Sequence, residues 1–398
     1  MVKRRAFLGE VTLGIAAYGA SVGRVFAAQA AGDKPAPSSS TSPVEEPAVP
    51  RASEAIDRVL APIREQYHLP GLVGGLVQGD RLESIGVAGV RKLGSPALFR
   101  VTDQVHIGSD TKAMTATMIG SLVDEGKLSW GATFAEVFPD QAKKMDAGFR
   151  GVTLWDLLTH RAGLPANSSW WLLGAKRSTT EQRRVLMAAM LQNAPLTKPG
   201  TKFAYSNVGY ALAGLMAEQV TGQSWETLMR KRLFEPLKMT SAGFGPPGTK
   251  GEVDQPWGHE PNGKSFQPQQ KDNVPAMGPA GTVHCTLADW AQFAILHLQA
   301  ARGKPRLLKA ATFEKLQTPP AGAEYAGGWL VIDRPWAGGP ALTHSGSNTM
   351  WYATLWIAPK RDFAVLAATN AGGEEASKAC DAAITGLIEH HRRLGHGV

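Results

Sequence analysis

Strand-like segments lie near both ends of this 398-residue chain, and this arrangement constrains the fold more than any other feature. Near the start, residues 72–77 and 82–90 are predicted strands joined at Gly79-Asp80, a dipeptide typical of a tight hairpin. Near the end, four further strands are predicted over 328–332, 341–344, 351–357 and 363–368. One sheet that holds both groups requires the two ends of the chain to meet.

The sequence between these two groups is dominated by helical periodicity, for example over 114–123, 179–191 and 208–220. One more helix is predicted before the first strand, around 55–63, and another after the last strand, around 383–388. We therefore predict an α/β fold of the α+β type. It has an antiparallel sheet of about five strands from both chain ends, flanked by helices, with a mostly helical region of about 111–280 inserted. A ligand cleft is expected where the two parts meet.

Residues 1–30 have the pattern of an export signal. Lys3, Arg4 and Arg5 precede a mildly apolar run, and Ala28 and Ala30 supply the small residues of a cleavage site. Paired arginines are typical of the twin-arginine route, so we expect cleavage near Ala30 and a periplasmic or secreted protein. The apolar run is shorter than the ~20 residues of a spanning helix, so we expect no membrane anchor after cleavage.

Residues 31–51 are rich in Pro, Ser, Thr and Glu, which predicts a flexible linker before one domain over 52–394. The formal net charge is +8, but no basic stripe interleaved with aromatic residues supports nucleic-acid binding.

Two cysteines, Cys285 and Cys380, exclude a disulfide scaffold and a cysteine-based zinc site. Buried free thiols are favoured, although export leaves one disulfide possible. We expect no metal and no other cofactor, and the oligomeric state stays open.

The most informative local feature is the segment Gly108-Ser109-Asp110-Thr111-Lys112, where strand-like sequence changes to helical sequence. A serine one turn before a lysine places both side chains on one helix face, and the first N–H groups of a helix stabilise a developing oxyanion. An amine with a lowered pKa can take the proton of the serine hydroxyl. Alone the motif is weak, because about one Ser-x-x-Lys is expected by chance, and a helix cap at Ser109 is the alternative.

Two further elements follow in order, Tyr205-Ser206-Asn207 and His344-Ser345-Gly346. The ordered set resembles the three active-site elements of the serine β-lactamase and penicillin-binding protein superfamily. The resemblance is closest to the class C branch, whose middle element begins with tyrosine, and it extends from about residue 53 to about 394. Residues 153–165, and 279–281 followed by 287–290, also resemble the family.

The resemblance implies an exported serine hydrolase that acts through an acyl-enzyme on an ester, amide or D-alanyl peptide bond. The substrate is then a small molecule or a peptidoglycan-derived compound. Ser109 is implied to attack the carbonyl carbon, while Lys112 and Tyr205 share the proton transfers. A true class C β-lactamase and a penicillin-binding or cell-wall-binding module without turnover are the alternatives.

The same resemblance assigns substrate binding to Asn207, His344, Gly346 and Ser347, with the N–H groups of Ser109 and Ser347 as the oxyanion hole. Lysine stands in place of His344 in β-lactamases of the family, where its charge helps to hold a carboxylate. An imidazole with a pKa of ~6.5 is mostly neutral at pH 7, which predicts a weaker, pH-dependent anchor and poor turnover of β-lactams. His160, which follows a predicted helix, is expected to have a structural role.

Overall fold

A computed structural model describes residues 52–174, 176–263 and 265–395, so the predicted signal and linker lie outside the described residues. The strands are β1 Gly71–Gln78, β2 Arg81–Gly89, β3 Gln104–His106, β4 Gly243–Phe244, β5 Gly258–Asn262, β6 Ser265–Gln269, β7 Val283–Thr286, β8 Leu330–Arg334, β9 Gly339–Ser347, β10 Tyr352–Ala358 and β11 Phe363–Thr369. The helices are α1 Glu54–Gln66, α2 Thr111–Asp124, α3 Phe134–Val137, α4 Pro139–Ala142, α5 Ala147–Arg150, α6 Leu154–Leu158, α7 Thr179–Met190, α8 Asn207–Thr221, α9 Trp225–Met229, α10 Gly278–Gly281, α11 Leu287–Ala301, α12 Ala310–Gln317 and α13 Glu374–Arg393.

The main sheet joins the two ends of the chain, as predicted. Its strand order is β2-β1-β11-β10-β9-β8, and every neighbouring pair is antiparallel. The fold class is therefore confirmed, with six strands in this sheet. The predicted hairpin is also present, since Gln78 pairs with Arg81 and Gly79 between them has a φ of 62°. A positive φ of this kind suits glycine.

Both faces of the sheet are covered, which explains why its central strands are apolar throughout. Helices α1 and α13 pack on one face and α11 packs on the other. Along β1, Leu72 and Leu76 belong to the core beneath α13, whereas Val73 and Val77 belong to the core beneath α11. Because successive strand residues point to opposite faces, an apolar residue is needed at almost every position. All of β11 is buried for the same reason.

Helix α2 is the central element of the inserted region. Each residue from Thr111 to Leu122 is buried, so this helix is surrounded on all sides. Short strands that were not predicted lie within this region and at its two borders: β3, β7 and β4 form one small sheet, and β5 and β6 form a hairpin. Strands of two to four residues are too short to show an alternating pattern.

Cys285 and Cys380 are separate buried thiols, one in each of the two hydrophobic cores. Burial raises the pKa of both thiols well above the usual range. Among the helices of the described residues, none has the length and apolarity needed to cross a membrane.

Candidate active site

The candidate nucleophile lies in a single 3₁₀ turn, Gly108–Asp110, which leads directly into α2. We call this segment the nucleophile turn. Gly108 has a φ of 51°, and a Cβ at this position would lie 2.4 Å from the backbone nitrogen of Ser347. Only glycine therefore fits between Ser109 and the end of β9.

Lys112, one turn after Ser109, is fully buried and its amine contacts three oxygen atoms. The Nζ atom lies 2.9 Å from Ser109 Oγ, 2.8 Å from Asn207 Oδ1 and 2.7 Å from the carbonyl oxygen of Ala280. Burial lowers the pKa of the amine well below its usual value, although the nearby carboxyl of Asp110 opposes this shift. A lowered pKa favours the neutral form of this amine, which contacts the serine hydroxyl.

The three contacts of Lys112 determine which group faces the lone pair of a neutral amine. A neutral amine has two N–H groups and one lone pair. Asn207 Oδ1 and Ala280 O can only accept, so they occupy both N–H groups. In this neutral form the lone pair is left for Ser109 Oγ, which lies 2.9 Å away and within reach for transfer of the hydroxyl proton.

Tyr205 provides the second contact to the nucleophile, since its hydroxyl donates to Ser109 Oγ at 2.8 Å. Burial raises the pKa of this phenol above its usual range, so the hydroxyl keeps its proton in the resting site. The position of Tyr205 is fixed by the start of α8, where the Ser206 side chain accepts from the N–H of Gly209 and donates to the carbonyl of Pro165.

Asn207 is the first residue of α8, and both the oxygen and the nitrogen of its side-chain amide make hydrogen bonds. Its Oδ1 accepts from Lys112 and its Nδ2 donates to Asn167 Oδ1 at 2.9 Å. Asn167 has no motif around it and was not among the predicted site residues. The pair holds the amide of Asn207 in one orientation beside Lys112.

The end of β9 approaches the nucleophile turn through its backbone. β8 pairs with β9 only from Gly339 to Thr343, so β8 does not cover the edge of β9 after Thr343. A Cβ on Gly346 would lie 2.0 Å from the carbonyl oxygen of Ile107 and 2.4 Å from the nitrogen of Ser109. This close approach places the backbone of Ser347 next to that of Ser109, as an oxyanion hole of two N–H groups requires.

His344 is buried, and both of its ring nitrogens contact protein groups. Nδ1 donates to the carbonyl of Ser345 at 2.8 Å, so Nε2 accepts from the hydroxyl of Tyr325 at 3.0 Å. Burial, the largest cause, lowers the pKa of the ring to about 3. This corrects the expectation of an anchor that titrates near ~6.5. A substrate-binding role for His344 stays a prediction.

His160 lies behind Tyr205 at the end of α6. Its Nδ1 accepts from the N–H of Ser206 at 3.0 Å, and its ring lies 4.4 Å from the ring of Tyr205 and 4.7 Å from that of Tyr325. Burial lowers the pKa of His160 well below the usual range, which keeps the ring neutral. These contacts are those of a residue that supports Tyr205 from behind.

The structure therefore brings together residues that are far apart in the sequence. Ser109, Lys112, Tyr205 and Asn207 form one hydrogen-bonded cluster, and Gly346 with Ser347 lies beside it. The Ala280 carbonyl, Asn167 and Tyr325 complete the site and had no assigned role. A backbone carbonyl and an isolated asparagine or tyrosine carry no sequence signal of their own.

Comparisons with known proteins agree with this geometry. A family model described as Beta-lactamase matches residues 56–387. Penicillin-binding protein 4 of Amycolatopsis lactamdurans is 28% identical over 339 residues, 78% of this chain and 83% of the relative. The octameric penicillin-binding protein homologue from Pyrococcus abyssi has a TM-score of 0.70 and 23% identity, covering 84% of this chain and 77% of its own. D-alanine carboxypeptidase AmpC from Burkholderia cenocepacia has a TM-score of 0.66 and 22% identity, covering 83% and 98%. The chain belongs to the beta-lactamase family, within the serine β-lactamase and penicillin-binding protein superfamily.

Proposed function

We propose that this protein is an exported hydrolase that cleaves an ester, amide or D-alanyl peptide bond through an acyl-enzyme on Ser109. The observation that carries the proposal is the arrangement around Lys112. Two obligate acceptors occupy the amine, and its remaining position faces Ser109 Oγ at 2.9 Å. A helix cap with a solvated lysine, the alternative for this motif, has no such arrangement.

In the acylation step, Ser109 Oγ attacks the acyl carbon while the amine of Lys112 takes the hydroxyl proton. The acyl oxygen gains negative charge, and the N–H groups of Ser109 and Ser347 donate to it. The bond to the leaving group then breaks. The leaving group takes the proton of Tyr205, whose phenol regains one from the ammonium of Lys112.

Deacylation repeats these transfers with water in place of Ser109. Water attacks the acyl carbon and gives one proton to the Lys112–Tyr205 pair, and the bond from the acyl carbon to Ser109 Oγ breaks. Oγ takes the proton back, and the acid product leaves. Without an effective water attack, the acyl-enzyme accumulates, which corresponds to the penicillin-binding alternative.

The environment of His344 favours substrates that do not need a cation to hold a carboxylate. The ring is neutral and its two nitrogens already contact Ser345 and Tyr325. The exposed side chain of Phe203 packs against Tyr325 and adds apolar surface nearby. We therefore place a short-chain ester first. A D-alanyl peptide is the second candidate, supported by the carboxypeptidase among the similar structures, and a β-lactam antibiotic is a poor substrate.

Hydrolysis of a short-chain p-nitrophenyl ester by residues 31–398, compared with Ser109→Ala, tests the mechanism. A D-alanyl-D-alanine peptide and a cephalosporin are run in parallel. We expect ester hydrolysis that disappears in the variant, and equal activity in both proteins would refute the proposal. Mass spectrometry distinguishes the binding module, because a stable adduct on Ser109 marks a protein that does not turn over.

Export is a separate part of the proposal, supported by the paired arginines and the small residues near Ala30. N-terminal sequencing of the protein produced in a bacterium with a twin-arginine pathway tests it. We expect a mature chain that begins near residue 31. A chain that still begins at Met1 contradicts export by cleavage.

A further inference from the structure

A buried histidine–aspartate pair lies directly behind the nucleophile turn. His106 Nε2 donates to Asp272 Oδ2 at 2.9 Å, and the two side chains are 0% and 4% exposed. The Nδ1 of the same ring accepts from the N–H of Gly108 at 3.1 Å. A neutral ring that accepts at Nδ1 carries its proton on Nε2, so both contacts are satisfied by one tautomer. The pair thus fixes the backbone one residue before Ser109.

The second oxygen of Asp272 reaches the other half of the oxyanion hole. Asp272 Oδ1 accepts from Asn348 Nδ2 at 2.9 Å, and Asn348 is the buried residue directly after Ser347. The Oδ1 of Asn348 accepts in turn from the N–H of Met350 at 3.2 Å, which holds the amide in place. One carboxylate therefore connects the nucleophile turn with the end of β9.

The residue after Asp272 makes a third connection. Asn273 Nδ2 donates to the carbonyl of Gly281 at 2.9 Å, and the neighbouring carbonyl of Ala280 accepts from Lys112. Asn273 also donates its backbone N–H to Asp272 Oδ1 at 2.7 Å. Two consecutive residues of the loop after β6 thus join three separate parts of the site.

We infer that His106 and Asp272 are positioning residues that fix the separation between the backbone N–H groups of Ser109 and Ser347. They act through Gly108 on one side and Asn348 on the other, so their effect falls on the transition state, where the oxyanion forms. The inference rests on the proposed function. A misplacement of about 1 Å in a catalytic group lowers a rate by up to about 100-fold, which sets the size of the expected effect.

Asp272→Asn is the first variant for a test. An asparagine has one acceptor oxygen, so it cannot accept from both His106 and Asn348. We expect kcat for the p-nitrophenyl ester to fall roughly 10- to 100-fold, with KM within about twofold of the wild-type value. Affinity for phenylboronic acid, whose tetrahedral adduct on Ser109 places an oxygen between the two N–H groups, falls by a similar factor.

Asp289→Asn is the matched control. Asp289 Oδ2 accepts two hydrogen bonds from Ser241, at 2.7 Å from its N–H and 2.6 Å from its hydroxyl. Its substitution removes a carboxylate away from the site, and one amide oxygen can still accept both hydrogen bonds, so we expect a folded protein with kcat retained. Asn348→Ala is a second test of the positioning role, for the case that Asp272→Asn folds poorly. It removes only one end of the connection and leaves the contact between His106 and Asp272 intact.

The outcomes separate this inference from the proposed function. A wild type that neither hydrolyses the ester nor forms an adduct on Ser109 refutes both. An active wild type whose folded Asp272→Asn and Asn348→Ala variants keep kcat and boronate affinity refutes the positioning role alone. An increase in KM without a change in kcat also refutes it, because it would place Asp272 in substrate binding.

Discussion

Replacement of Lys112 by methionine tests whether this amine is neutral in the folded protein. Methionine keeps an unbranched side chain in the buried position and removes the group that titrates. Burial lowers the pKa of the folded amine well below its value of about 10.4 in an unfolded chain. Between these two pKa values, the folded state holds one proton fewer, so unfolding takes up a proton. Raising the pH in that interval therefore stabilises the folded wild type, and Lys112→Met lacks this dependence.

The size of the effect follows from one proton per molecule. Each pH unit changes the free energy of unfolding by about 1.4 kcal/mol in this interval. Between pH 7 and pH 9 we therefore expect the wild type to gain stability relative to Lys112→Met, by up to about 3 kcal/mol for one proton. Because both proteins share every other titrating group, the difference between them isolates the contribution of Lys112.

Urea unfolding of both proteins at the two pH values, followed by tryptophan fluorescence, measures this difference. Ester hydrolysis by the same samples should show kcat/KM reduced by about 10²- to 10⁴-fold in the variant, the usual contribution of a general base. If the difference in unfolding free energy is the same at both pH values, the folded amine is charged over this range. That result refutes Lys112 as the resting base, whatever the variant's activity.

Three further substitutions test other parts of the structure. Tyr205→Phe removes only the hydroxyl that donates to the nucleophile, so steady-state kinetics should show kcat about 10²-fold lower, and unchanged kcat contradicts its role in proton transfer. Arg183→Met leaves the buried carboxylate of Glu218 without its partner, so thermal unfolding should show about 3–5 kcal/mol of lost stability, with specific activity retained. Gly346→Ala forces a Cβ against backbone at 2.0 Å and should lower stability by about 3 kcal/mol and abolish ester hydrolysis. Gly131→Ala, which meets nothing within 4 Å, is its control, and equal behaviour of the two variants refutes the close approach.

The sequence predicted the main sheet well because its strands carry a strong local signal. The predicted segment 351–357 is shifted by one residue from β10, and the predicted segment 363–368 is one residue shorter than β11. Buried strands are continuous apolar runs, and turn residues separate them. By contrast, the pairing of β3 with β7 joins residues about 180 positions apart in strands of three and four residues. No local pattern specifies such a pairing.

The candidate site was predictable where the chemistry depends on side chains in a motif. The motifs predicted Ser109, Lys112, Tyr205 and Asn207, and hydrogen bonds join all four in the structure. The lowered pKa of His344 was not predictable, because it depends mainly on the burial of the ring in the folded protein rather than on residue type.

The same limit applies to the pair behind the nucleophile turn. His106 lies two residues before Gly108, and no motif around it indicates a role. Its partner Asp272 lies 166 positions later, in a loop without a motif. Such a contact becomes visible only when the fold brings the two segments together.

The pairing of β1 with β11 also determines when the protein can fold during its synthesis. Leu72 pairs with Thr369, so the ribosome makes one neighbour of β1 about 300 residues after β1 itself. At about 5–20 residues per second, roughly 15–60 s pass between the synthesis of the two strands. Until β11 has been made, the β1–β2 hairpin has an unpaired apolar edge, which favours aggregation. We expect newly made chains to depend on a chaperone over this interval, and truncation before β11 to give insoluble protein.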